Sequence, residues 1–216
     1  MKFSIKVACG LLAIGGLAAV YYGDNYYSQK KEEHAKEASH AIYFETKDVL
    51  SFKIKNKNGS FVFTRETNEA PWKMHSPAEL SADQDAVNNI LAAIQQLTTQ
   101  QELANTENLV SSKDPKQLAP YGLENPNAFV TIEDKSKSES TLFLGNALDL
   151  GNKVSGIISP SSIYAKNSTK NKLLVVSSSI AELIANKTLS DFRTKRVADF
   201  KGNDVNSISI KYNGET

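Results

Sequence analysis

Residues 49–65 read VLSFKIKNKNGSFVFTR. Leu50, Phe52 and Ile54 alternate with Ser51, Lys53 and Lys55, which gives a strand one apolar and one polar face. Asn58-Gly59 is a tight-turn dipeptide, and Phe61 and Phe63 then alternate with Val62 and Thr64. The stretch reads as an antiparallel hairpin, Val49–Lys55 against Ser60–Arg65. A cover for its apolar face follows soon after. Pro71-Trp72 opens a short extended piece that Ser76-Pro77 ends. Ser81 or Asp83 then caps a helix running to about Leu97, with Ala86, Val87, Ile90, Leu91, Ile94 and Leu97 as its apolar stripe.

Downstream the pattern stays strand-like. A polar stretch leads to a turn-rich block from Lys113-Asp114-Pro115 to Asn125-Pro126. Phe129, Val130 and Ile132 mark a strand, and Thr141–Leu144 marks the next, ending at Gly145. Val154–Ile158, Ile163–Ala165 and Leu173–Val176 are further strand candidates, and Ser177–Ile184 reads as a short serine-capped helix. The segment Phe192–Phe200 is basic and mixed. The expected fold class is α+β: a mostly antiparallel sheet with one long and one short helix, preceded by a single N-terminal transmembrane helix.

That N-terminal expectation rests on Lys2 and Lys6, followed by the uncharged run VACGLLAIGGLAAVYYG from Val7 to Gly23. Its length is at the short end for a bilayer span. Tyr21, Tyr22, Tyr26 and Tyr27 suit an aromatic belt, and the basic flank favours an N-terminus inside the cell. An uncleaved signal-anchor is the preferred reading. The alternative is a cleaved signal peptide, with Gly16-Leu17-Ala18 before a cut at Ala19. Cys9 reads as a small residue in lipid. The expected organisation is therefore a cytoplasmic tip over 1–6, a bilayer segment over 7–27 and a charged stalk over 28–40. An extracytoplasmic domain over 41–199 follows, and the start of a second unit over 200–216. The expected location is the bacterial inner membrane, single-pass, with the main domain outside.

The second unit is expected because a pattern recurs. Phe44, Asp48, Val49, Ser51, Ile54, Lys55, Asn58 and Gly59 return in order as Phe200, Asp204, Val205, Ser207, Ile210, Lys211, Asn213 and Gly214. This reads as an internal duplication whose second copy is truncated, with Ile208 and Ile210 expected to dock on the existing sheet.

Composition narrows the chemistry. The chain has 25 Lys+Arg and 24 Asp+Glu, a net charge of +1, and 40% hydrophobic residues. It lacks the basic excess of a nucleic-acid binder. With Cys9 alone there is no intrachain disulfide and no cysteine-based zinc site. His34, His40 and His75 are far apart in sequence, and the first and last of the stalk region, His34 and His40, read as exposed polar residues. Paired-histidine, phosphate-loop and nucleophile-elbow motifs are absent. Gly145 to Lys153 lacks phosphate-loop spacing and has Val154 where a magnesium-binding hydroxyl belongs. Ser177-Ser178-Ser179 reads as a helix cap, and Glu133-Asp134 with Lys135 and Lys137 as a charged hairpin tip. No catalytic, cofactor or metal residue is assigned. The candidate partner or ligand surface is Trp72, Tyr121, Arg193, Lys195 and Arg196, although Trp72 also suits a core anchor and the three basic residues an ordinary solvated face.

Several short motifs in order carry a resemblance. They are Asp48-Val49 before a strand, Trp72-Lys73-Met74 followed by Pro77, and Ala82-Asp83 opening a helix. Tyr121-Gly122-Leu123 with Pro126, Leu142-Phe143-Leu144-Gly145, Ile163-Tyr164-Ala165 and Phe192-Arg193 continue the series. Over roughly residues 42–216 the chain resembles the bacterial family known as domain of unknown function 4340. The resemblance implies single-anchor proteins associated with ABC-type transporter components, including gliding-motility auxiliaries, and no established catalytic residues. The leading expectation is a non-enzymatic, membrane-anchored extracytoplasmic accessory or scaffold of a transporter complex, with lipid and transporter subunits as partners. A small-ligand or glycan-binding module rimmed by Trp72 and Tyr121 is the alternative, and an envelope hydrolase the third.

Overall fold

The computed structural model describes residues 26, 28, 30–32, 34–111, 114–148, 161–170, 172–195, 206, 207 and 209. Among the described residues nine strands form one antiparallel sheet. They are β1 (Val49–Asn56), β2 (Gly59–Thr64), β3 (Lys73–Ser76), β4 (Leu80–Ser81), β5 (Gln101–Glu102), β6 (Ala128–Asp134), β7 (Glu139–Ala147), β8 (Ser162–Asn167) and β9 (Leu173–Ser177). Their spatial order is β4-β3-β2-β1-β6-β7-β8-β9-β5. The expected hairpin is present, with Phe52 opposite Phe63 and Ile54 opposite Phe61. Its turn is the pair Lys57–Asn58, closed by Asn56 opposite Gly59. The hairpin lies at the centre of the sheet, since β1 also pairs with β6.

Among the described residues, besides the helical residues 34–39, four short α-helices accompany the sheet: α1 (Gln84–Gln95), α2 (Glu107–Ser111), α3 (Ser179–Ile184) and α4 (Leu189–Phe192). Two 3-10 turns, Thr46–Asp48 and Pro115–Tyr121, join them. Asp83 caps α1 by accepting from the Ala86 N–H, and Val87, Ile90, Leu91 and Ile94 are buried. That stripe packs in one cluster with Phe52, Ile54, Phe61, Phe63, Met74, Val130, Leu142, Leu144, Ile180 and Phe192. The helices α1, α3 and α4 thus cover one sheet face. Among the described residues the other face is covered at its β7–β9 end, where Leu118, Leu123 and Leu173 cluster with Tyr121, Phe143 and Tyr164. Over β1–β3 no described element lies on this face. Lys53 and Lys55 are exposed there, with Val62, Phe129 and Thr131 half-buried beside them.

These observations correct the expected architecture. The sheet is larger than expected, and several short helices replace one long and one short helix. The longest of the four has 12 residues. Among the described residues no helix is long and apolar enough to cross a membrane. The charge-free run Val7–Gly23 lies outside the described residues, as do the strand candidate Val154–Ile158 and the second-copy strand apart from 206, 207 and 209. Strands β4 and β5, two residues each, were invisible to alternation because a period needs more than one repeat. Pro115, Pro120 and the left-handed Asn105 break the polar stretch into α2 and a 3-10 turn.

Candidate functional site

The strands β2 and β3 form a cleft on the uncovered face. Thr64 lies opposite Lys73 in the ladder, and strand alternation brings His75 to the same side as Lys73. His75 Nε2 and Thr64 Oγ1 share a hydrogen bond of 2.7 Å. Arg65 follows β2, where the strand ends. Its Nε–H donates to the Val49 carbonyl (2.8 Å), one Nη to Asn68 (2.8 Å) and the other to Thr46 (2.5 Å). The guanidinium lies over the Trp72 ring, 4.5 Å from its centroid. Burial holds the Arg65 pKa below its ordinary value. Thr64, Arg65, Lys73 and His75, with Glu66, Ala70 and Pro71, line a cavity of about 280 Å³.

Trp72 lies in the core beneath Arg65. It is 1% exposed, and its indole N–H donates to Asn88 Oδ1 (3.1 Å). Gln84 pairs with the Trp72 backbone as a strand would: its amide oxygen accepts from the Trp72 N–H (2.7 Å) and its Nε2 donates to the Trp72 carbonyl (3.0 Å). The first turn of α1 therefore locks the tryptophan that supports Arg65. Edge-on contact with Phe52 at 5.2 Å joins it to the core.

A second cavity, of about 400 Å³, opens between the Thr46–Asp48 turn and the ends of β6–β8. Its charges are already engaged. Asp48 pairs with Lys135 at 2.6 Å. Lys170 donates to the carbonyls of Ala38 (3.0 Å) and His40 (2.7 Å), and burial pushes its pKa down. Asp134 accepts from the Ser136 hydroxyl (2.6 Å) and from the N–H groups of Ser136 and Ser138 (2.8 and 3.0 Å). These bonds, led by the Ser136 hydroxyl, hold its pKa below the usual carboxylate value. Asp134 thus serves as the brace of the β6–β7 hairpin tip. Among the described residues no group of three or more His, Cys, Asp or Glu side chains could hold a metal ion.

The sequence-derived candidates do not share one surface. Trp72 is in the main core, whereas Tyr121 packs edge-on to Tyr164 (5.1 Å) in the other cluster. Arg193 and Lys195 are exposed, with Arg193 bridging backbone to backbone with Ala82 beside β4. Arg196 lies outside the described residues. The residues that do converge, Thr64, Arg65, Lys73 and His75, were not singled out by sequence. The signal was present in part: the ladder of FVFTR against WKMH puts their polar side chains together, but only once its register is known.

A family model described as Domain of unknown function (DUF4340) matches residues 72–216. The chain belongs to this family. No curated protein and no solved structure matches the chain. The matched span begins at Trp72, so the domain-of-unknown-function segment carries the Lys73 and His75 wall of the cleft. The central strands β1 and β2, with Thr64 and Arg65, precede that span.

Proposed function

We propose that this chain is a non-enzymatic accessory or scaffold subunit of an ABC-type transporter complex, with its sheet domain outside the bacterial cytoplasmic membrane. The observation that carries the reading is the uncovered half of the outer sheet face. Lys53, Lys55 and Thr131 stand on it with Phe129, whose ring Lys55 approaches to 5.8 Å. A broad surface of this kind, part aromatic and part cationic, suits contact with a protein surface of opposite charge. The basic flank Lys2 and Lys6 before the uncharged run Val7–Gly23 supports the location.

The chemistry of the cleft also supports a binding role. Thr64, His75 and Glu79 resemble a hydroxyl–imidazole–carboxylate series, yet Glu79 Oε1 is 3.8 Å from His75 Nδ1 and its side chain is 87% exposed. At that distance the carboxylate does not orient the imidazole by a hydrogen bond. The test is copurification from gently solubilised membranes. Wild-type chain should retain transporter subunits, and the double variant Lys53→Glu, Lys55→Glu should lose them. Recovery of the chain alone under several mild detergents, or equal retention by the variant, would sink the proposal.

A further inference from the structure

The β2–β3 cleft holds a cation whose charge is not matched. Arg65 has five N–H donors, of which carbonyls of Val49, Asn68 and Thr46 take three. Carbonyls satisfy hydrogen bonds but leave the charge uncompensated. Among the described residues Arg65 makes no ion pair, although Lys73, on the same cleft, does so with Glu66. The guanidinium cannot turn away, because the Trp72 ring and three fixed carbonyls set its plane. Lys73 is held loosely, 3.4 Å from a Glu66 side chain that is 83% exposed, and can exchange that partner for another anion. When His75 Nε2 carries its proton, it donates to Thr64 Oγ1 and leaves the Thr64 hydroxyl hydrogen for an acceptor in the cleft.

We infer that this cleft binds a phosphate group through Arg65, Lys73, His75 and Thr64. Guanidinium and ammonium groups are the usual phosphate partners, the first as a planar fork and the second as a point charge. A tetrahedral oxyanion offers acceptors in several directions, as donors from two strands and a strand end require. A planar carboxylate would leave some of them unmatched. The cavity of about 280 Å³ takes a phosphate with a small attached group. Two sources share this chemistry: a soluble phosphate or phosphomonoester, and an anionic phospholipid headgroup. The site stands or falls independently of any transporter partner, because copurification does not read it.

The chain has one tryptophan, and it lies under Arg65, so Trp72 fluorescence reports the site in the full chain. The titration uses inorganic phosphate at constant ionic strength set with chloride, and separately phosphatidylglycerol vesicles. A saturable change is expected in at least one arm. Inorganic phosphate responding names a soluble source, and vesicles alone responding names a headgroup. The double variant Lys73→Gln, His75→Gln should keep its thermal midpoint and bind about tenfold more weakly or worse, as loss of the Lys73 ammonium contact and of the imidazole that orients the Thr64 hydroxyl requires. Should that variant be unstable, phosphorus-31 line broadening of inorganic phosphate (or of the vesicle headgroup) by wild type against single Lys73→Gln gives the same comparison. No saturable change in either arm, or equal affinity in the variants, would overturn the site.

Discussion

At the scale of single residues, two buried asparagines solve the same problem. Asn56 ends β1, accepts from the Asn58 N–H (2.8 Å) and donates to the carbonyls of Ile184 (2.7 Å) and Lys187 (3.0 Å). Asn167 ends β8, accepts from the Thr169 N–H (2.8 Å) and donates to the Ala41 carbonyl (2.7 Å). Each shapes a turn with its oxygen and ties a distant segment with its nitrogen. Asn56→Ala weakens the tie between the central hairpin and the end of α3, which Asn58 shares through Asn186 and Lys187, and takes the side-chain donor from the buried Ile184 carbonyl. It should lower stability by about 2–3 kcal/mol, read as a shift in the urea midpoint with unchanged slope. The glycines of two separate sequence motifs also prove to be neighbours. A methyl on Gly145 would run into the Tyr121 carbonyl oxygen, and one on Gly122, at φ +70°, into Asn146. Gly145→Ala should therefore destabilise by about 1–3 kcal/mol, checked by thermal melting. The motifs were legible in the sequence, but their contact was not, because no local pattern encodes which turn meets which strand. Arg65 was hidden for a similar reason: its partners are backbone carbonyls, which carry no sequence signature.

At the scale of elements, the long alternating and periodic stretches were legible and the short ones were not. The hairpin and α1 were within reach because each repeats its period, whereas α4, with 4 residues, makes a single turn and repeats nothing. That helix is held by its cap. The Thr188 N–H and hydroxyl both donate to Asp191 Oδ2 at 2.8 Å, and these bonds, the backbone one first, keep the Asp191 pKa below its ordinary value. A depressed carboxylate contributes stability above the unfolded Asp pKa of about 3.9, and that contribution is lost as pH falls through the lower folded value. Asp191→Asn should therefore lower the urea midpoint at neutral pH, and its gap from wild type should narrow at acidic pH, below the ordinary Asp value. The effect is small, since solvent screens the cap; an equal gap at both pH values would show that the charge is irrelevant. The stripe of α1 matters more. Leu91 is fully buried between the helix and the sheet, and Leu91→Ala should cost about 2–5 kcal/mol, measured by urea unfolding.

At the scale of the whole molecule, eight of the nine described strands form two similar halves, with β5 outside them at the edge beside β9. Outward from the centre, one side runs β1, β2, β3, β4 and then α1; the other runs β6, β7, β8, β9 and then α3. The antiparallel β1–β6 pair joins them, and α1 and α3 meet on the same face. This relation differs from the repeat seen in the sequence, which links 44–59 to 200–214, and no residue pattern announced it. Two four-strand meanders need only alternation to form, and alternation leaves side-chain identity free. The arrangement bears on the family match, which starts at Trp72. A piece limited to 72–216 would lack β1 and β2, and so lose one of the two partners of β6 and one of the two partners of β3. It would also lose Phe52, Ile54, Phe61 and Phe63, each at most 1% exposed. Burial of each contributes about 1.5–3 kcal/mol, so four together rival the entire net stability of a domain, about 5–15 kcal/mol. The fragment 72–216 should therefore show no cooperative urea transition by circular dichroism, while a fragment starting at residue 41 should unfold in one step. A cooperative transition in the shorter fragment would mean that the central hairpin is an addition to a self-sufficient unit and not its keystone.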